Sequence, residues 1–352
     1  MYPKITWDLS KIRRNCRELL KETANRNLDL VSVVNLAAGH EEIVWALAIQ
    51  GIKTIGDSRV LNLKKYQDIP IKKMLLRAPM LKELKYLVEY ADCTFISDLQ
   101  TMRNLNQEAI RQNKHVEIIL MINEKELHTA FDSEYHFIEE LTEITTFSNL
   151  ILAGLGTNLS QYDEPEIVIN KLNNLAHFKR ILEEKMGINI SLISCGGSNH
   201  ISIWDSENLD RANNQIRSGA GILMGVGLNH EPIPFLEQET SWLEAQIIEV
   251  YPSTLSTKIT VTGGDHQLLA GDSNPNHKQA VIALGHQDCY SNDLIATDDN
   301  IKILRQGPDY TILDVTNSEK DYQVGDVIKF NLTYLANLAL MNSEYVVKEY
   351  LI

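Results

Sequence analysis

The 352-residue chain predicts an α/β fold: a (β/α)8 TIM-type barrel followed by an all-β C-terminal domain. Three observations carry that expectation. Short apolar runs alternate with amphipathic, charged stretches eight times between about residues 28 and 230, the strand–helix repeat of a closed parallel barrel. The strand runs are continuously apolar, as parallel strands covered on both faces require. After about residue 231 helical periodicity gives way to β-rich pieces separated by turn signals such as "GGD" and "GPD".

Taken in order, "YPKITWDLSKIRRNCRELLKE" reads as a short strand, an Asp-Leu-Ser cap and a helix. A strand that precedes the barrel is available to the β domain, so residues 1–10 are expected to pair with it. The barrel strands are "LDLVSVV", "KTIG", "KMLLR", "CTFIS", "VEIILMIN", "LILAGLG", "ISLISCG" and "QIRSGAGILMG". Helical patterns lie between them, among them "EEIVWALAIQ", "VLNLKKY", "LKELKYLVEYA", "LQTMRNLNQEAIRQ" and "IVINKLNNLAHFKRILEEKMG". No GxGxxG follows the first strand, and a count of eight favours closure over a doubly wound open sheet. "EPIP" reads as a linker, giving a barrel domain over 1–230 and a C-terminal domain over 231–352. The latter contains "WLEAQIIEVYPS", "STKITVTGG", "QAVIALG", "YTILDV" and "GDVIKFNL" as strands.

Hydrophobic residues make up 44% and charged residues 23%, ordinary values for a globular protein, while the net charge of −14 argues against nucleic acid or an anionic membrane as main partner and otherwise serves solubility. Four cysteines (Cys16, Cys93, Cys195, Cys289) lack metal-ligand spacing and read as free thiols. "MYPKITWDLS" has no signal-peptide pattern, and no apolar run reaches the length of a membrane span, so a cytoplasmic location is expected.

Six stretches sharpen this outline: "YPKITWDLSKIRRN", "IGDSRVLNLKKY", "GLGTNLSQY", "RSGAGILMG", "YTILDVTNS" and "YQVGDVIKFNLTY". In that order, over nearly the full length, they resemble the alanine racemase fold of pyridoxal phosphate enzymes, and within it the ornithine-racemase-like branch of amino-acid racemases. The resemblance implies pyridoxal phosphate as cofactor, racemisation of a small or basic amino acid as activity, and a homodimer as assembly. It matches Gly219 and Ala220 to backbone N–H groups that take the phosphate, with Gly197 and Ser198 in the preceding loop. Such glycines also serve simply as tight turns after barrel strands. Arg217 matches the arginine facing the pyridine nitrogen, where a permanent charge weakens the ring as an electron sink; pairing with a buried carboxylate is the other use of an inward arginine. Thr157, Asn158 and Tyr162 match pocket-lining positions, and Tyr334 and Tyr345 match aromatic positions that serve either core or site.

At one position the chemistry departs. The family places its Schiff-base lysine after the first barrel strand, where this chain reads "VVNLAAGH" with Asn35. The flanking residues keep register, and an amide nitrogen with a delocalised lone pair is neither nucleophile nor base. Further departures are Asn123 and His128 for an expected aspartate and arginine, Gln161 for a cysteine, Gly197 for an asparagine and His286 for an arginine. Lys125 is the nearest alternative amine, though "NEKEL" reads as an exposed loop. His40, His128, His200 and His286 fit no metal-ligand spacing, so no metal is expected. The expected function is therefore a racemase-family protein with a degenerate site and weak or absent racemisation. Its alternatives are a regulatory relative that binds pyridoxal phosphate or an amino acid non-covalently, or a partner subunit of an active racemase paralogue.

Overall fold

A computed structural model of the chain describes residues 1–122, 141–158, 164–198, 201, 203–210, 212–227, 230–252 and 278–352. Strand β1 (Lys4–Asp8) leads into α1 (Leu9–Ala24). Eight parallel strands then close into a barrel: β2 (Asp29–Val33), β3 (Thr54–Asp57), β4 (Lys72–Leu75), β5 (Cys93–Ile96), β6 (Val116–Met121), β7 (Leu150–Gly156), β8 (Leu192–Cys195) and β9 (Gln215–Ser218). Closure is made by β9 returning to β2, with Val31 level with Arg217 and Ser32 level with Ser218. All eight expected strand runs overlap one of these strands, six containing it whole, with β3 running one residue past "KTIG" and β4 starting one residue before "KMLLR".

Helices α2 (Glu41–Ala48), α3 (Val60–Lys65), α4 (Leu84–Tyr90), α5 (Leu99–Arg111) and α6 (Pro165–Met186) follow their strands. Their ends obey local chemistry. The Asp98 carboxylate accepts the Thr101 N–H at 2.7 Å to cap α5, and α6 starts on Pro165 and stops at Gly187, whose φ of +65° suits glycine. Within the barrel, Val31, Met74, Cys93, Phe95 and Ile119 form a buried cluster with Leu76, Met121 and Leu192 against it.

One expected strand needs correction. "QIRSGAGILMG" is β9 for four residues only, and Ala220–Met224 form a short helix, α7. A fully buried apolar run reads alike in either conformation, and here length and the flanking glycines decide it. Gly225, at φ +74°, ends the helix.

The remaining strands are β10 (Ser241–Pro252), β11 (Lys278–Ile282), β12 (Leu294–Ala296), β13 (Lys302–Gln306), β14 (Thr311–Asp314), β15 (Val327–Leu332) and β16 (Val347–Leu351). They form a separate sheet in the order β12-β15-β10-β11-β14-β13, which β1 joins by pairing antiparallel with β10 and parallel with β16. The expectation of an all-β C-terminal domain omits α8 (Tyr334–Asn342), a helix apolar on most sides and capped by Thr333, whose hydroxyl accepts the Ala336 N–H at 3.3 Å. "STKITVTGG" lies outside the described residues.

The chain divides into two compact units, Ser10–Gln238 and Met1–Leu9 with Glu239–Ile352. Residues 231–238 stay with the barrel because the Ile233 N–H donates to Gly225 O at 2.9 Å and the Gln238 side-chain amide donates to the same carbonyl at 3.2 Å. Among the described residues, no helix is long and apolar enough to cross a membrane.

Candidate active site

The barrel brings the carboxyl ends of its strands to one rim, where catalytic groups of such barrels reside. At the end of β2 the ladder runs one residue further, with the Val34 N–H donating to Gly56 O at 2.8 Å. The chain then tightens into a 3-10 turn over Asn35–Ala37, closed when the Ala38 N–H donates to Asn35 O at 3.1 Å. Asn35 is half-buried in this turn, and its Oδ1 accepts the Ser58 N–H at 2.9 Å. Ser58 directly follows β3, so Asn35 ties the ends of two adjacent strands together.

The loop that supplies Ser58 is itself organised by a carboxylate. Asp57 is fully buried, accepts the Arg59 N–H at 2.8 Å and takes Asn62 Nδ2 at 3.2 Å on both oxygens. Burial outweighs those donors and pushes the Asp57 carboxyl up to about 6.

Arg217 stands level with Val31 of the inner cluster, so its side chain enters the barrel. Its Nη1 donates to Ser194 O at 3.1 Å and Ser194 Oγ at 2.7 Å, while Nη2 donates to Thr157 O at 2.7 Å and Asn158 Oδ1 at 3.3 Å. The guanidinium carbon lies 4.8 Å from the centre of the Phe95 ring. Only 8% of the residue is exposed, and among the described residues no carboxylate pairs with it. Burial pulls the guanidinium down to about 10, still charged at neutral pH. The buried-carboxylate use of this arginine thus finds no partner among the described residues. Four polar oxygens and an aromatic face hold a positive charge that nothing there neutralises.

Beside it, after β8, Ser198 Oγ accepts the Gly221 N–H at 2.9 Å and lies 3.2 Å from Ser218 Oγ. A Cβ on Gly221 would stand 2.5 Å from Ser218 Oγ, so only glycine leaves this space open. Gly219 packs on the end of β2, where an added Cβ would meet Val33 Cβ at 3.1 Å. Ala220 opens α7, and Gly197 precedes Ser198 in the loop. Ser32, level with Ser218, has a buried hydroxyl with no hydrogen-bond partner among the described residues.

The barrel therefore gathers Asn35, Thr157, Asn158, Gly197, Ser198, Arg217, Gly219 and Ala220 at the ends of β2, β7, β8 and β9. Sequence reasoning passed over Ser194, Ser218, Ser32, Phe95 and Asp57. The available signal was the two-residue alternation of the strands: Ser194 is level with Gln215 and so shares a face with Arg217 two residues on, and Ser32 is level with Ser218.

Other candidates fall elsewhere. Asn123, Lys125, His128, Gln161, Tyr162 and His200 lie outside the described residues. His40 immediately precedes α2. His286, Tyr334 and Tyr345 belong to the β unit: the His286 ring is 5.3 Å from that of Tyr290, Tyr334 begins α8, and Tyr345 is 80% exposed. All four cysteines are free and buried, with their thiols pushed up to about 12. Among the described residues no three His, Cys, Asp or Glu side chains are grouped to hold a metal.

Residues 7–226 match the family model described as alanine racemase, N-terminal domain. The chain is 32% identical to an ornithine racemase of Acetoanaerobium sticklandii, with all of both chains covered, and 30% identical to a lysine racemase of Thermotoga maritima, with 99% of each covered. Among solved structures, an alanine racemase from Bartonella henselae with covalently bound pyridoxal phosphate superposes with a TM-score of 0.76 at 17% identity, over the whole of both chains. That structural likeness concerns the fold. The family match and the full-length relatives establish that this chain belongs to the alanine racemase family.

Proposed function

We propose that this chain holds pyridoxal phosphate non-covalently in the barrel mouth and racemises amino acids weakly or not at all. One observation carries the proposal. The residue at the end of β2 is an asparagine whose carbonyl oxygen is committed to the Ser58 N–H, so position 35 offers neither an amine to anchor a cofactor nor a base. Loss of a general base alone costs about 10²–10⁴-fold in rate.

The described residues fit the phosphate and ring of the cofactor better than they fit its covalent anchor. Gly221 leaves open the space beside the Ser198 and Ser218 hydroxyls, and the Gly219–Ala220 backbone turns at the same rim. Arg217 supplies a buried charge held rigidly by four acceptors and the Phe95 face, suited to orienting a heteroaromatic ring. When bound, pyridoxal phosphate supplies an electron sink for charge developing at an amino acid's α-carbon. The chain's own part is to bind and orient. We further propose a homodimer in the cytoplasm.

A second reading draws on the full-length similarity to proteins named ornithine racemase and lysine racemase. On that reading the chain racemises a basic amino acid with another group replacing the missing base.

Absorbance spectroscopy of the purified chain with pyridoxal phosphate, before and after dialysis and borohydride, separates the two, alongside chiral analysis of ornithine, lysine and alanine. Colour that dialyses away, no stable label after reduction and no racemisation support the first reading. A stoichiometric reduced adduct on a lysine, with turnover of ornithine or lysine, supports the second. Asn35→Lys is expected to gain the adduct if the rest of the pocket is intact. Size-exclusion chromatography with light scattering tests the dimer.

A further inference from the structure

Asn35 can be read as more than a lost lysine, because its hydrogen bond settles which way the amide faces. A backbone N–H needs an acceptor, so the Ser58 N–H selects Oδ1 and fixes the amide flip. The amide is planar, so Nδ2 stands on the other side of the group from that bond, carrying two N–H donors. Among the described residues neither donor has a partner, and the side chain is only half-buried. The backbone beneath is clamped by the Asn35–Ala37 turn, so the side chain has little freedom to reorient. On the neighbouring strand the four Nη hydrogens of Arg217 are already taken by Ser194, Thr157 and Asn158, which leaves Asn35 Nδ2 as the uncommitted donor at the end of β2.

We propose that Asn35 is a ligand-reading residue, whose Nδ2–H donates to an oxygen acceptor of the group in the barrel mouth. The inference rests on the non-covalent reading above and adds a selectivity to it. With an uncommitted N–H donor at the end of β2, the mouth takes the aldehyde form, pyridoxal phosphate, as a free carbonyl compound. It discriminates against pyridoxamine phosphate, whose ammonium at that position brings only further donors and no acceptor for Nδ2–H.

The test is isothermal titration of the full chain with pyridoxal 5′-phosphate and with pyridoxamine 5′-phosphate, followed by borohydride treatment and mass spectrometry. The aldehyde is expected to bind about 5- to 10-fold more tightly, the effect of one net hydrogen bond, without a stoichiometric lysine adduct. Asn35→Asp keeps an acceptor for the Ser58 N–H but replaces the free donor by a carboxylate oxygen, and should reverse the preference. Asn35→Ala removes donor and acceptor together, and should bring the ratio to about one. Slow exchange of the Ser58 amide in Asn35→Asp, and its acceleration in Asn35→Ala, report that the turn behaves as described. Equal affinities in the wild type overturn the proposal while leaving the non-covalent reading intact, and they do so whether or not a variant folds. A wild-type preference that survives unchanged in Asn35→Asp overturns it equally. Failure of both compounds to bind, or a stoichiometric lysine adduct, removes the underlying reading as well.

Discussion

Replacing Asp57 by asparagine tests the organisation of the β3 rim. In the fold this carboxyl titrates near 6, against 3.8 in its ordinary state, because burial outweighs its hydrogen bonds. The folded chain therefore holds the proton more tightly than the unfolded one. Below the ordinary value Asp57 is protonated in both states and carries no ionisation penalty. As pH rises from about 4 to 6 the unfolded chain ionises first, and stability falls; above about 6 both states are ionised and the loss is complete. A shift of about two units corresponds to roughly 3 kcal/mol. Asparagine keeps one oxygen for the Arg59 N–H, the bond that shapes the loop carrying Ser58 to Asn35. Urea unfolding of the barrel, measured at half-unit steps from pH 4 to 8, should show wild-type stability dropping relative to Asp57→Asn by about 3 kcal/mol, then running parallel. Two curves separated by a constant amount over that whole range would refute burial as the force on this group.

Three further predictions concern the mouth and its frame. Arg217→Met should weaken pyridoxal phosphate binding at least about tenfold, since it removes the buried charge and leaves Thr157 O and Ser194 Oγ without their donor; absorbance titration checks it. Gly221→Ala should cost about 1–3 kcal/mol and lower affinity for the phosphate end, because the new methyl stands 2.5 Å from Ser218 Oγ; thermal unfolding and titration with inorganic phosphate read the two effects. Gly154→Ala should be far more damaging, with soluble yield largely lost, because its Cβ would lie 2.1 Å from the Leu192 carbonyl oxygen of the adjacent strand; expression and circular dichroism decide this.

Much of the barrel was legible because its signal is local. Each strand–helix unit carries its own apolar run and periodicity, so the eight strands could be read without knowing what they touch. The exceptions had physical causes. "GAGILMG" stays apolar and buried as strand or helix, so its period is uninformative, and the structure makes it α7. The helix Tyr334–Asn342 hid for the same reason, its residues being apolar on most sides.

The site divides along the same line. Gly219, Ala220, Ser198 and Arg217 could be picked out because a resemblance tied them to short motifs after the last two barrel strands. Ser218, Ser194 and Asp57 looked like ordinary strand residues, and they acquire roles through register alone: Ser218 Oγ lies 3.2 Å from Ser198 Oγ only because β9 ends beside the loop after β8.

What the sequence by itself determined is therefore the architecture, the family and the identity of the residue at position 35, since each is written in contiguous stretches of chain. Only the tertiary structure decided what that residue does with its two ends. The Ser58 N–H comes from another strand's loop, 23 positions away in the chain, and it alone assigns the oxygen of Asn35 to the scaffold. Likewise the sequence named Arg217, but the absence of a described carboxylate beside it is a property of packing. Side-chain charge is inherited from composition, whereas the environment that makes it available or neutral depends on which strands close the barrel together.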